Sequence, residues 1–117
     1  MSRRPVRALL QDIVDYGEEA VATVADLDGD AILAERFREH AVLRTVQIVG
    51  EASAQILQVR PQGIEGLALR DAAGLRNILV HGYAKARMDR VVIIVRRDVV
   101  ALVNAAKAAL ATGEDYE

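Results

Sequence analysis

Four polar side chains lie close together in the stretch RNILVHGY, namely Arg76, Asn77, His81 and Tyr83. The rest of this stretch is apolar, as in the buried face of a helix. Each of the four would need a hydrogen-bonding or charged partner to offset its removal from water. The stretch therefore either faces solvent at the edge of a helix or forms a site.

Such a set could cleave RNA without a metal ion. His81, an imidazole that titrates near neutral pH, could act as general base on a ribose 2′-hydroxyl or as general acid toward the leaving oxygen. Arg76 could hold the scissile phosphate through two hydrogen bonds and stabilise the charge that develops on it. Asn77 could orient the imidazole or donate to a phosphate oxygen. The residues alone leave open an alternative, a helix end whose polar groups cap carbonyls and face solvent.

Helical geometry constrains how these residues could meet. On one straight helix Asn77 and His81 share a face, and Arg76 and Tyr83 share another. Arg76 and His81 would point about 140° apart. Convergence on one ligand therefore requires the reach of the arginine, a helix break near Gly82, or a second copy of the chain across a two-fold interface.

Glu51 is a further candidate, because it is an acid within the otherwise apolar stretch IVGEASAQIL. A carboxylate there must face solvent or meet a cation, and Arg76 is the partner that we consider. The charge distribution favours a phosphate-bearing ligand near Arg76, since residues 60–97 contain eight basic and three acidic residues in a chain of net charge −2. The alternative is a solvated charged face that complements an acidic neighbour.

Composition limits the other classes of function. Hydrophobic residues make up 52% of the 117 residues and aromatic residues only 3%. The core must therefore consist of Ala, Val, Leu and Ile, and a nucleic-acid surface of stacked aromatic rings is disfavoured. The absence of cysteine excludes disulfides and agrees with a reducing compartment. Because the N-terminal region also lacks the apolar core of a signal peptide, we expect a soluble, cytoplasmic protein. A length of 117 residues predicts one domain over residues 1–117.

No metal or calcium site is expected. The alternating acids of DLDGD, residues 26–30, suggest an EF-hand, but loop positions six and twelve hold Ala31 and Phe37 instead of glycine and glutamate. We interpret this stretch as a turn followed by a helix cap. His40 and His81 have no neighbours at metal-ligand spacing, and His40 is expected on the surface of a helix.

The spacing of apolar residues predicts four helical segments, at about residues 5–24, 30–60, 65–81 and 89–111. Asp30 is the expected N-cap of the second, which could kink near Gly50 and stops at Pro61. Gly113 is placed to end the fourth. The run VVIIV alone would indicate a strand, but it has no partner strand and helical spacing continues after it. The expected fold is all-α, an antiparallel bundle of four to five helices.

RNILVHGY resembles the Arg-x4-His-x-Tyr motif of HepT-type toxins, a branch of the HEPN superfamily of small helical nucleases. IVGEASAQI, residues 48–56, is similar to the Gly-Glu-Ala element on a preceding helix of that family. The order of helices also matches, so that the resemblance covers nearly the whole chain. Two departures concern packing rather than chemistry: RPQGIEGLALRDAAGLRN lacks an early aromatic residue, and VVIIV replaces a stretch that often contains tryptophan.

The resemblance implies a HEPN-like helical domain that forms a homodimer, in which two copies of the motif line a shared cleft. It implies a ribonuclease that needs no metal and no cofactor, with Arg76 and His81 catalytic and with Asn77 and Glu51 in support. Tyr83 would match the tyrosine that a cognate MNT-type nucleotidyltransferase antitoxin modifies with AMP. Such a group would place negative charge and bulk beside Arg76 and His81 and repel RNA.

Two functions of different class follow. The first is the toxin ribonuclease of a toxin-antitoxin system. The second is a non-catalytic helical dimer that binds a nucleotide or a partner nucleotidyltransferase through the same basic cleft. Cleavage of RNA in the absence of divalent metal distinguishes them.

Overall fold

The computed structural model describes residues 3–78, 80 and 82–117, and every regular element in these ranges is helical. Helix α1 covers Val6–Val24, α2 covers Gly29–Leu33, and α3 covers Arg36–Val59. Helix α4, Leu69–Ala73, continues directly into a 3-10 turn, Gly74–Asn77. Helix α5, Ala84–Ile94, a π turn, Val95–Val99, and helix α6, Val100–Ala111, follow one another directly. The prediction of an all-α fold is confirmed.

The long helices pack antiparallel, as predicted. Arg7 near the start of α1 donates to the carbonyl of Leu110 near the end of α6, at 2.7 Å. Arg38 near the start of α3 donates to the carbonyl of Thr23 near the end of α1, at 2.6 Å. Helix α1 therefore lies between α3 and α6, and α4 with its 3-10 turn packs on the outer side of α3.

The core is aliphatic, as the composition requires. Helix α1 buries Val6, Leu10 and Ile13, whose spacing of three or four residues places them on one face. Side chains of the other helices meet this face, and the fully buried ones include Val42, Val46, Val49, Ile56, Leu69, Met88 and Val91. In the described part of the chain, no helix is apolar over a length that could cross a membrane.

The predicted second helix is in fact two helices. The chain turns at residues 34–35, which separates α2 from α3. Asp28 rather than Asp30 caps α2, because its carboxylate accepts a hydrogen bond from the N–H of Ala31 at 2.9 Å. The interpretation of this stretch as a turn and helix cap is therefore confirmed, but the predicted N-cap Asp30 is wrong by two residues. Helix α3 continues without interruption through Gly50, the position at which a kink was considered.

The predicted third helix, residues 65–81, is shorter at both ends. It starts at Leu69 because Gly63 and Gly66 before it have positive φ angles of 75° and 87°, which a right-handed helix excludes. After the 3-10 turn, Ile78 is extended, with φ −68° and ψ 130°. Its carbonyl accepts a hydrogen bond from the side chain of Gln47 at 3.0 Å, so a tertiary contact replaces the next helical bond.

The predicted fourth helix begins earlier than expected, at Ala84 rather than Asp89. The helical interpretation of VVIIV is confirmed, since residues 91–94 end α5 and Val95 starts the π turn. Gly113 follows the end of α6 with a φ of 74°, as predicted for a residue that stops a helix.

Candidate active site

Helix α3 packs directly on the backbone of the 3-10 turn that carries Arg76. The contact point on α3 is Gly50. A Cβ atom at this position would lie 2.2 Å from the nitrogen of Arg76 and 2.8 Å from the carbonyl carbon of Leu75. Glycine is therefore required there because two backbones approach each other closely. Gly50 belongs to the Gly-Glu-Ala element, and its position gives that element a structural role.

Gln47 holds the same turn from one helical turn earlier on α3. Its side chain is half-buried, and its Nε2 donates to the carbonyl of Ile78. Gln47 and Gly50 are three residues apart and so share one face of α3. These two contacts fix the backbone on both sides of Arg76 and Asn77.

The side chain of Arg76 is exposed and lines a groove between α1, α3 and the 3-10 turn. The groove has a mixed polar lining with three arginines and two carboxylates. Its lining residues are Arg4, Leu9, Asp12, Arg44, Gln47, Ile48, Glu51, Ala52, Gln55 and Arg76. A polar groove of this kind suits a charged, hydrated ligand better than an apolar one.

Two guanidinium groups in this groove have no ion-pair partner among the described residues. Arg4 forms an ion pair with Asp12, and this hydrogen bond raises the pKa of Arg4 above its usual value. Arg44 and Arg76, in contrast, make no hydrogen bond or ion pair with any residue that the structure describes. Two such cations in one groove attract an anion such as an RNA phosphate.

Arg44 and Gln47 are site residues that the sequence analysis missed. Together with Glu51 they occupy positions i, i+3 and i+7 of α3, and all three line the groove. A polar stripe at this spacing on a helix whose other face is buried was the signal that could have identified them.

The predicted ion pair between Glu51 and Arg76 is absent. The two residues line the same groove, but Glu51 is exposed and its carboxylate accepts a hydrogen bond from Gln55 at 3.1 Å. Asn77 is exposed at the end of the 3-10 turn and is not among the groove residues. His81 lies outside the described residues. Within those residues no three His, Asp or Glu side chains cluster in a way that could hold a metal ion.

Tyr83 immediately precedes α5, and 87% of its surface is exposed. It lines a second depression, with Arg87 and Arg90, rather than the groove of Arg76. The helix ends before Ile78. Arg76 and Tyr83 therefore do not share one helix face, as they would on a straight helix. Gly82, near which a helix break was one of the three conditions for convergence, has a φ of 57°, which a right-handed helix excludes. Within one chain, Tyr83 and Arg76 therefore occupy adjoining surfaces rather than one groove.

Comparison with known proteins assigns the chain that carries this site to a family. A family model described as Ribonuclease HepT-like matches residues 13–109, which include all five predicted site residues. "Putative RNase MJ1380" from Methanocaldococcus jannaschii is 32% identical over 83 residues, which cover 71% of this chain and 76% of that protein. "Putative RNase MJ0125" from the same organism is 26% identical over 83 residues, covering 71% of this chain and 72% of that protein. No solved structure matches the chain. The chain belongs to the HepT-like ribonuclease family.

Proposed function

We propose that this protein is the toxin of a toxin-antitoxin pair and a metal-independent endoribonuclease, with Arg76 and His81 as its catalytic residues. One observation carries the proposal. The guanidinium group of Arg76 is exposed in a polar groove, on a turn that Gly50 and Gln47 hold from α3, and no described residue neutralises it. Membership of a ribonuclease family makes RNA the expected ligand of that cation.

In the proposed reaction, the ribose 2′-oxygen attacks the adjacent phosphorus and the bond from phosphorus to the 5′-oxygen breaks. His81 accepts the 2′-hydroxyl proton as general base, and an imidazolium gives a proton to the leaving 5′-oxygen. Arg76 hydrogen-bonds the non-bridging oxygens and stabilises their developing charge. The products are a 2′,3′-cyclic phosphate and a 5′-hydroxyl end.

This chemistry favours a homodimer. The attacking and leaving oxygens lie roughly in line on opposite sides of phosphorus, so that one imidazole cannot reach both. A two-fold interface that brings two motifs to a shared cleft would supply the second imidazole as His81 of the partner subunit. Sedimentation at micromolar concentration should give a dimer, and a strictly monomeric active enzyme would contradict the shared cleft.

Analysis of the cleavage products tests the reaction itself. Purified protein in EDTA should produce 2′,3′-cyclic phosphate and 5′-hydroxyl ends, and an RNA with a single 2′-deoxy nucleotide at the cut site should stay intact there. Cleavage of the deoxy substrate at an equal rate would refute the 2′-hydroxyl mechanism. Binding of RNA or of the antitoxin without any cleavage would instead support the non-catalytic dimer.

We also propose that a cognate MNT-type nucleotidyltransferase antitoxin inactivates the enzyme by AMPylation of Tyr83. The exposure of Tyr83 supports this, as does the absence of a hydrogen bond from its hydroxyl to any described residue. The phenolic oxygen would attack the α-phosphorus of ATP, pyrophosphate would leave, and a base of the transferase would accept the proton. The adduct would add negative charge on the surface that adjoins the Arg76 groove and repel RNA.

Intact-mass spectrometry tests this regulation. Co-expression with the neighbouring nucleotidyltransferase should raise the mass by one or more AMP groups and abolish cleavage in EDTA, whereas Tyr83→Phe should remain unmodified and active. An unchanged mass, or modification of the Tyr83→Phe variant to the same extent, would refute the assignment of Tyr83.

A further inference from the structure

Tyr83, Arg87 and Arg90 form a stripe along one side of α5, which we name the α5 stripe. The backbone N–H of Arg87 donates to the carbonyl of Tyr83 at 3.1 Å, so Tyr83 lies one helical turn before Arg87. Arg90 follows three residues later on the same side. All three side chains are exposed and line one depression, whose other lining residues are Ile78, Ala86 and Val91.

The two arginines of the α5 stripe have no ion-pair partner in the part of the chain that the structure describes, unlike two of their basic neighbours. Lys85 pairs with Asp89 at 3.0 Å, and Arg96 donates to the carbonyl of Leu27 at 2.7 Å. Arg87 and Arg90 make no side-chain hydrogen bond or ion pair with any described residue, and no acidic residue lines their depression. Two free guanidinium groups beside an exposed aromatic ring are the groups that bind the backbone and the bases of a single strand.

The α5 stripe is also continuous with the candidate active site. Ile78 lines its depression, and the carbonyl of Ile78 is bonded to Gln47 of the Arg76 groove. From Tyr83 to Arg90 the stripe extends about 10 Å at 1.5 Å per residue. One strand of B-DNA rises ~3.4 Å along the helix axis per nucleotide, so about three nucleotides stacked in this way would span the stripe.

We infer that the α5 stripe binds the single-stranded RNA that flanks the scissile phosphate, with the Tyr83 ring stacked on a base and Arg87 and Arg90 bonded to the backbone. The low aromatic content of the chain argues against a surface of several stacked rings, but this site needs only one. The inference rests on the proposed function in one respect, namely that the bound strand is the substrate.

The test is fluorescence polarisation of a labelled 2′-O-methyl RNA, which a 2′-hydroxyl mechanism cannot cut, with the full-length protein. Tyr83→Ala should weaken binding roughly 5-fold to 100-fold because a base loses its stacking partner. Tyr83→Phe should bind within about 2-fold of wild type, since it keeps the ring, although it cannot accept AMP. Equal weakening by both substitutions would overturn the stacking role.

The arginines are tested through the salt dependence of binding. Each phosphate contact on a single strand contributes about 0.7 to the slope of log K against log salt concentration, so the double variant Arg87→Gln, Arg90→Gln should lower the slope by about 1.4. Arg97→Gln, which removes an exposed arginine that pairs with Asp98 outside this depression, is the matched control and should leave the slope unchanged. An unchanged slope in the double variant would overturn the inference.

These outcomes separate the inference from the proposed function. If the α5 stripe binds RNA as described but the wild-type protein leaves natural RNA uncut, the proposed function fails and the stripe is a binding site for RNA that is not a substrate. If the protein cuts RNA while all α5 stripe variants bind and cut like wild type, only the inference fails. Loss of antitoxin binding in these variants, with unchanged RNA affinity, would assign the stripe to a protein partner and overturn the inference.

Discussion

Replacement of Gly50 by alanine should disable the active site without unfolding the protein. The added Cβ would lie 2.2 Å from the nitrogen of Arg76, 2.8 Å from the carbonyl carbon of Leu75 and 3.0 Å from the carbonyl oxygen of Ala72. Carbon contacts are normally about 3.5–4.0 Å, so the turn must retreat from α3 by more than about 1 Å. The obstructing atoms belong to the backbone and cannot rotate away as a side chain would.

Two opposing terms set the effect on stability. Overpacking costs about 1–3 kcal/mol, and alanine gains about 1 kcal/mol over glycine inside a helix. The net loss in free energy of unfolding should be about 0–2 kcal/mol. Displacement of a catalytic group by about 1 Å costs about 100-fold in rate, so that RNA cleavage should fall much further than stability.

The assay is RNA cleavage in EDTA with urea unfolding measured in parallel. Gly74→Ala is the matched control, because Gly74 starts the same 3-10 turn with an ordinary φ of −63° and no atom lies within 4 Å of its added Cβ. This control should cleave RNA like wild type. Wild-type cleavage by Gly50→Ala would refute the idea that close contact with α3 positions Arg76.

Two further predictions concern other parts of the fold. The Lys85 ammonium and the N–H of Gly29 donate hydrogen bonds to the Asp89 carboxylate, which hold the pKa of that carboxyl below its ordinary value. These contacts therefore stabilise the fold above about pH 4, and their contribution is lost as pH falls through the lowered pKa. Urea unfolding near neutral pH and at about pH 3 should therefore show a larger acid loss for wild type than for Asp89→Asn, and equal losses would contradict this role. Met88→Ala should cost about 2–5 kcal/mol at a fully buried site, whereas Ile93→Ala, at a residue 55% exposed, should cost less than about 1 kcal/mol; similar losses would contradict the described core.

Much of the fold could be predicted because local signals agree with the tertiary structure. The apolar stripe on α1 is predicted by the period of its residues, and the end of α6 is predicted by the conformational freedom of Gly113. Both features are present in the structure. The run VVIIV is helical despite its β propensity, as expected from the lack of a partner strand and from the helical spacing that continues after it. The start of α4 at Leu69 could also be predicted, since Gly66, a residue that readily adopts positive φ, lies inside the segment that was predicted to be helical.

The geometry of the site was less accessible from sequence. The turn at Ile78 depends on a hydrogen bond from Gln47, 31 positions earlier, and the contact at Gly50 depends on the backbone of Arg76. Neither contact has a signature within the motif itself. The residue types of the proposed cleavage site could therefore be predicted from the sequence, whereas the separate surfaces of Arg76 and Tyr83 follow only from tertiary packing.

The rate of RNA cleavage in EDTA by Arg76→Ala tests the central claim most directly. The matched control is Arg70→Ala, since Arg70 lies on α4 and bonds the carbonyl of Pro61 instead of lining the groove. We expect a loss of about 100-fold or more for Arg76→Ala and for His81→Ala, with folding unchanged, and wild-type activity for Arg70→Ala. Wild-type cleavage by both Arg76→Ala and His81→Ala would contradict the account.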